Sequence, residues 1–247
     1  MYQFFVEENQ FAGDRISILG SDVNHIKNVL RMKAGERVRV SISYNGRSFF
    51  GVIDSITEDE VIVRVESEDE NGTELSNRIY LFQGLPKGDK MELIIQKAVE
   101  LGVHEIIPVA MKNCVVKLDD KKAGNKVKRW QAISESAAKQ SKRTLIPEVQ
   151  TPLTWKEAMK KAEGLDVVLV PYECERGMEA TREVIKGIEP GQSIAIFIGP
   201  EGGFDEKEVE DAMNQGVFPV TLGRRILRTE TAGLTMLSIL MFEFEEE

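Results

Sequence analysis

Cysteine and histidine are scarce: two of each in 247 residues. Cys114 and Cys174 lack C-x-x-C spacing, which excludes a disulfide framework and a cysteine-based zinc site. His25 and His104 are too few for a histidine-rich metal centre, so no metal is expected. Long apolar runs are missing too, and no window approaches the roughly 18 residues a membrane span requires. Residues 1–8 lack the basic start and apolar stretch of a secretory signal. Neither G-x-G-x-x-G nor a Gly-Lys-Ser/Thr loop is present, so a dinucleotide or triphosphate cradle is excluded. An excess of positive charge is absent as well. Lys and Arg total 32 against 41 Asp and Glu, a net −9 that taken alone argues against a nucleic-acid partner. These absences point to a soluble, cytoplasmic protein.

What remains is a globular composition, 42% hydrophobic and 30% charged, enough for one large domain or two ordinary ones. The charge is unevenly placed. Residues 112–143 hold ten basic side chains and three acidic ones, a local +7 that leaves −16 elsewhere. A solvated lysine-rich helix accounts for such a run, and so does a landing patch for an anionic polymer.

The first seventy residues read as β-rich. Runs at 38–42, 48–53 and 61–65 are rich in β-branched residues, with Asn45-Gly46 as a hairpin signal between the first two. One helix is expected behind Ser21 as N-cap, with Val23, Ile26, Val29 and Leu30 on its apolar face. The acidic stretch 66–74 reads as a linker. From Arg78 onward strands alternate with helices. Strands are expected at 79–82, 106–109, 167–170, 194–198 and 217–222, and helices at 89–101, 126–141, 179–186, from 205, and at 229–244. Such alternation implies a largely parallel α/β sheet.

Ligands of parallel sheets bind beyond the carboxyl ends of strands. Three loops qualify: Pro171-Tyr172-Glu173, Gly199-Pro200-Glu201-Gly202-Gly203-Phe204, and 223–232. In the second, Asp205 and Glu208 form a reciprocal cap for the next helix, and Glu201 disfavours a phosphate. The third holds Arg224, Arg225 and Arg228. Thr229 as N-cap and Glu230 as a first-turn acid suit a helix start, whereas three arginines there do not. Guanidiniums at a crevice mouth suggest recognition of a carboxylate or phosphate.

Ile198-Gly199-Pro200-Glu201-Gly202-Gly203 followed by Leu222-Gly223-Arg224-Arg225-Ile226-Leu227-Arg228-Thr229-Glu230-Thr231-Ala232 resembles the paired signature of the RsmE-like 16S ribosomal RNA uracil-N3 methyltransferases, of the SPOUT superfamily. Val29-Leu30-Arg31, the stretch 96–103, Lys139-Gln140-Ser141-Lys142-Arg143 and Pro147 also look like family motifs. The family often has two histidines before its Val-Leu-Arg, where this chain has Asn24-His25. The resemblance implies a PUA-like β-barrel for RNA binding over 1–70. It implies a SPOUT α/β domain over 75–247, with a parallel sheet and a C-terminal trefoil knot, in a homodimer using S-adenosylmethionine. Carried over, Gly199, Pro200, Gly202, Leu222, Gly223, Ile226, Leu227, Thr231 and Ala232 surround the cofactor. Arg228, Glu201 and Glu230 are the catalytic candidates, and Arg31, Lys139, Lys142 and Arg143 the RNA contacts. Cys174 is expected to be dispensable, since methylation at N3 needs no covalent intermediate. Two alternatives stay open: a non-catalytic RNA-binding module, and a methyltransferase of another RNA position such as ribose 2′-O.

Overall fold

Two runs of regular structure, each around its own core, make up the computed structural model, which describes residues 1–43, 45–172 and 177–245. One unit comprises Met1–Glu74 with Ala138–Ile146, the other Leu75–Ala137 with Pro147–Glu247.

The first unit is a six-stranded curled sheet. Its strands are β1 (Tyr2–Val6), β2 (Phe11–Ala12), β3 (Arg15–Leu19), β4 (Arg37–Ile42), β5 (Ser48–Ile56) and β6 (Glu60–Glu68), in the order β1-β4-β5-β6-β3-β2. Alternate residues point inward, so Val38, Val40 and Ile42 of β4 and Val61 and Val63 of β6 are fully buried in one cluster with Phe4 and Ile18. The Asn45-Gly46 signal sits between the antiparallel β4 and β5 as expected. β1 was not foreseen; it pairs parallel with β4.

The expected helix is present in altered form. α1 (Ser21–Asn24) is N-capped by Gly20, not Ser21, and runs on into a π-turn at His25–Val29. The inserted residue rotates the helix, so Val23 and Ile26 are buried while Val29 is 61% exposed.

Segment Ala138–Ile146 is tied to this unit by polar contacts. The Arg143 guanidinium, 4% exposed, pairs with Glu74, whose carboxylate also accepts from the Thr144 N–H at 2.9 Å. The Lys142 carbonyl accepts from Arg39 Nη1 at 3.0 Å and Thr73 Oγ1 at 2.9 Å. Burial pushes the Glu74 carboxyl up, but Arg143 and the backbone donors outweigh it and hold it below the usual range. A lowered carboxyl contributes stability above its unfolded value of about 4.3, lost as pH falls through the folded value. Glu74→Gln should cost about 3–5 kcal/mol, because it leaves a buried guanidinium without its counter-charge. Urea unfolding should show the loss at pH 7 and a smaller difference from wild type near pH 3. An equal difference at both pH values would show that the pair is not what holds the segment.

In the second unit strands follow one another in parallel. They are β7 (Arg78–Gly84), β8 (Glu105–Ala110), β9 (Glu148–Val149), β10 (Leu153–Thr154), β11 (Val167–Pro171), β12 (Ser193–Ile198) and β13 (Phe218–Val220). The order is β10-β8-β7-β12-β11-β13, with β9 also on β8. Every residue of β12 is buried, the continuous apolar signature of a central parallel strand. The helices are α2 (Lys90–Glu100), α3 (Asp120–Ser141, its last turn from Ala138 belonging to the first unit), α4 (Trp155–Ala162), α5 (Gly177–Lys186), α6 (Glu206–Asn214) and α7 (Thr229–Phe244). α3 starts six residues before the expected 126. α4 was not foreseen, although Thr154 and Glu157 form its capping box.

No helix among the described residues is long and apolar enough to cross a membrane. The same residues contain no group of His, Cys, Asp and Glu suited to a metal ion.

Candidate active site

Four loops meet at the carboxyl ends of β7, β12, β11 and β13, where a cavity of about 620 Å³ opens. Its walls include Lys90, Tyr172, Gly199, Pro200, Glu201, Phe204, and the run from Thr221 to Thr229 apart from Arg224. Of the nine expected cofactor residues, Gly199, Pro200, Leu222, Gly223, Ile226, Leu227 and Ala232 line it.

Gly202 and Thr231 lie outside that wall. A Cβ on Gly202 would come within 3.1 Å of Asn113, so this glycine admits the segment after β8. Asn113 there donates to the Gly202 and Gly203 carbonyls at 3.3 Å. Thr231 is exposed on the first turn of α7. Glu173 and Cys174 lie outside the described residues.

The loops are fixed from below by buried polar contacts. Gln83, fully buried at the end of β7, donates to Thr229 Oγ1 at 2.8 Å, and Thr229 donates to the Gly199 carbonyl at 2.6 Å. Thr229 is therefore not the N-cap of α7. Arg228 holds that position, and the Thr229 hydroxyl is spent joining the loop after β12 to β7. The expected cap at α6 does form, with Glu208 accepting from the Asp205 N–H at 3.0 Å and Asp205 from Lys207. Glu208 also accepts from the Lys112 N–H at 2.9 Å, which draws the chain after β8 onto the same loop.

The three catalytic candidates separate by environment. Arg228 is exposed at the cavity wall, and among the described residues no acid pairs with it, Arg224 or Arg225. Glu201 and Glu230 instead share one cation. Lys90 Nζ lies 3.0 Å from Glu201 and 3.2 Å from Glu230 Oε2, both ion-pair contacts. Burial pushes the Glu201 carboxyl up, but the Lys90 ammonium and the Lys87 N–H outweigh it and keep it low. Glu201 and then Glu230 hold the Lys90 ammonium above its ordinary value, against burial. A carboxylate so held is a weak proton acceptor.

Lys90 and Gln83 were missed as site residues, whereas Tyr172, in the first of the three expected loops, does line the cavity. The signal for Lys90 was available: 84–88 is also a loop after a parallel strand, so the crevice rule that singled out three loops applies equally to it.

The four expected RNA contacts all fall in the first unit. Arg31 and Lys142 are exposed, and both adopt left-handed backbone, with φ of 54° and 64°. Non-glycine residues rarely do so outside functional or tightly held positions. Lys139 is 3.2 Å from Asp22. Arg143 is corrected: a guanidinium buried against Glu74 holds the fold and does not face a ligand.

A parallel sheet with a cavity at the carboxyl ends of its strands suits an enzyme that binds a small ligand there, and comparison with known proteins specifies it. Residues 73–241 match the RNA methyltransferase domain family and residues 18–66 the RNA methyltransferase PUA domain family. Ribosomal RNA small subunit methyltransferase E of Bacillus subtilis is 38% identical over 99% of this chain and 98% of its own. The protein of the same name from Mesomycoplasma hyopneumoniae is 34% identical over 96% and 98%. The crystal structure of that methyltransferase from Neisseria gonorrhoeae, bound to S-adenosyl methionine, superposes with a TM-score of 0.83 at 31% identity, covering 99% of this chain and 98% of that one. The chain belongs to the ribosomal RNA small subunit methyltransferase E family.

Proposed function

We propose that this chain transfers a methyl group from S-adenosylmethionine to N3 of one uridine in the decoding region of 16S ribosomal RNA. The cavity is the observation that carries the reading. It combines the apolar Leu222, Ile226 and Leu227 and the aromatic Tyr172 with close backbone at Gly199 and Gly223. No phosphate ligand of the P-loop kind is present, and Glu201 in the wall disfavours a phosphate. An adenine, an uncharged ribose and a cationic sulfonium suit such walls, and the volume fits a ligand of that size. The cofactor supplies an electrophilic methyl group on sulfur; this chain's residues supply orientation and charge.

Arg228 stabilises negative charge developing on a uracil carbonyl or anchors a flanking phosphate. Glu201 and Glu230 act as orienting groups through Lys90. Arg31 and Lys142, with Lys139 three residues before Lys142, contact RNA from the first unit, whose apolar cluster supports its closure into a PUA-like barrel. The double substitution Arg31→Ala, Lys142→Ala should weaken RNA binding and reduce the slope of log affinity against log salt by about 2. An unchanged slope would remove both from the interface.

The finer architecture is proposed on the same footing. The loops after β12 and β13, joined through Thr229 and Gly199, are read as the crossing of a trefoil knot. A homodimer is supported by α7, apolar on most of its surface, and by the exposure of Phe242 (84%) and of Leu93 on the adjoining α2 (46%). The assembled small subunit is the proposed substrate and the cytoplasm the proposed location.

Isothermal calorimetry with S-adenosylmethionine tests the reading against that of a cofactor-free RNA-binding module. Saturable one-site binding, weakened by Leu227→Asp, is expected. Absence of heat with a folded protein would favour the binding module.

A further inference from the structure

Lys90 occupies an unusual place. It begins α2, immediately after the loop that follows β7, and its ammonium reaches the cavity wall. An ammonium has three N–H donors and no acceptor. Two carboxylates face it, Glu201 at 3.0 Å from the loop after β12 and Glu230 at 3.2 Å from the first turn of α7. No third acceptor pairs with it among the described residues, and the side chain, which lines the cavity, is 30% exposed. A lysine serving only to neutralise two acids would not need to line the cavity.

We propose that Lys90 is a catalytic residue that donates an N–H to a carbonyl oxygen of the target uracil and so stabilises the N3 anion. This rests on the reading of the reaction as uracil-N3 methylation. N3 carries a weakly acidic proton, which leaves to solvent, and the resulting negative charge spreads over N3 and the two flanking carbonyl oxygens. The N3 lone pair then forms the bond to the methyl carbon as the carbon–sulfur bond breaks, its electron pair going to sulfur. An anion and a cation yield two groups without those charges. Lys90 stays protonated throughout, as expected of an ammonium flanked by two carboxylates, so it is a donor and not the base. Glu201 and Glu230 are positioning residues that aim it. Arg228, on the rim, is left for the second carbonyl or a flanking phosphate.

The pH profile separates this role from a structural one, because a fixed cation lowers the pKa of a neighbouring acid by about 1–3 units. Turnover by the wild type should rise with pH and level off. In Lys90→Met the rise should move upward by about 1–3 pH units, with turnover at pH 7 down about 10- to 1000-fold. Lys90→Arg, which keeps the cation, should recover most of the loss. Subunits carrying 5-fluorouridine, whose N3 proton is more acidic, should rescue the Met variant far more than they speed the wild type. Calorimetry should give cofactor affinities within a fewfold of wild type for both variants. A Met variant slowed equally at every pH, with no rescue by 5-fluorouridine, would overturn the proposal. So would loss of cofactor binding in both variants, since Lys90 would then be a strap between the loops. A wild-type product methylated elsewhere than at N3 would instead refute the reading of the reaction on which the proposal stands.

Discussion

Arg228→Ala is expected to lower turnover by about 10²- to 10³-fold, the loss typical of removing one preorganised donor of charge stabilisation. Cofactor affinity should be nearly unchanged. The backbone at this position is the N-cap of α7, its carbonyl accepting from the Ala232 N–H at 2.8 Å, and no side-chain cap bond is lost on truncation. The helix start therefore survives the substitution, and the guanidinium has no acidic partner among the described residues to leave unpaired. These conditions make the variant a clean probe of what the charge does to substrate. Single-turnover methylation of small subunits, with calorimetry for the cofactor, measures both quantities. Turnover within threefold of wild type would remove Arg228 from the reaction.

Gly84→Ala should weaken cofactor binding by about 10- to 100-fold. A Cβ at this position would lie 2.7 Å from Pro200 N and 2.8 Å from Pro200 Cδ, distances that real contacts do not reach. The obstacle is backbone and a rigid ring, so the loop after β12 has to move away from β7. Overpacking of this kind costs about 1–3 kcal/mol, and here the strain falls on the loop that forms the cavity wall. The bond from Thr229 to the Gly199 carbonyl would stretch with it. Unfolding of the first unit, which has its own apolar core, should be unaffected. Unchanged cofactor affinity together with an unchanged melting temperature would contradict the close approach.

Much of this was legible in the sequence because it depends on local pattern. The boundaries of α7 follow from a polar start and an apolar run, and the strands at 79–82 and 194–198 from β-branched stretches with no polar interruption. The cap at Asp205 and Glu208 was readable from spacing alone. Elements held by partners distant in sequence were not. β1 exists because β4 offers it a parallel edge, and nothing in residues 2–6 announces that partner. β9 and β10, two residues each, are likewise defined by their pairing with β8.

The site divides along the same line. Glycines and apolar residues of the two signature loops were identified by motif, and most of them line the cavity. Roles set by three-dimensional neighbours were not legible: Thr229 serves Gly199 and Gln83, and Arg143 neutralises Glu74. Lys90 escaped notice because its partners, Glu201 and Glu230, stand over 100 residues away. The net charge of −9 was a similarly incomplete guide. Five of the ten basic residues that produce the local excess, Lys112, Lys122, Arg129, Lys139 and Arg143, face acidic partners, so a smaller set is left for RNA.

The central claim is that the chain methylates uracil N3 in small-subunit RNA. Mass-spectrometric mapping of methylated nucleotides on 16S RNA, from cells with and without this protein, tests it directly. The account predicts that one N3-methyluridine in the decoding region disappears on deletion and returns when purified protein and S-adenosylmethionine are added to the deficient subunits. Loss of a ribose 2′-O-methyl group or of a methyl at another base atom would contradict it, as would a methylation pattern unchanged by deletion.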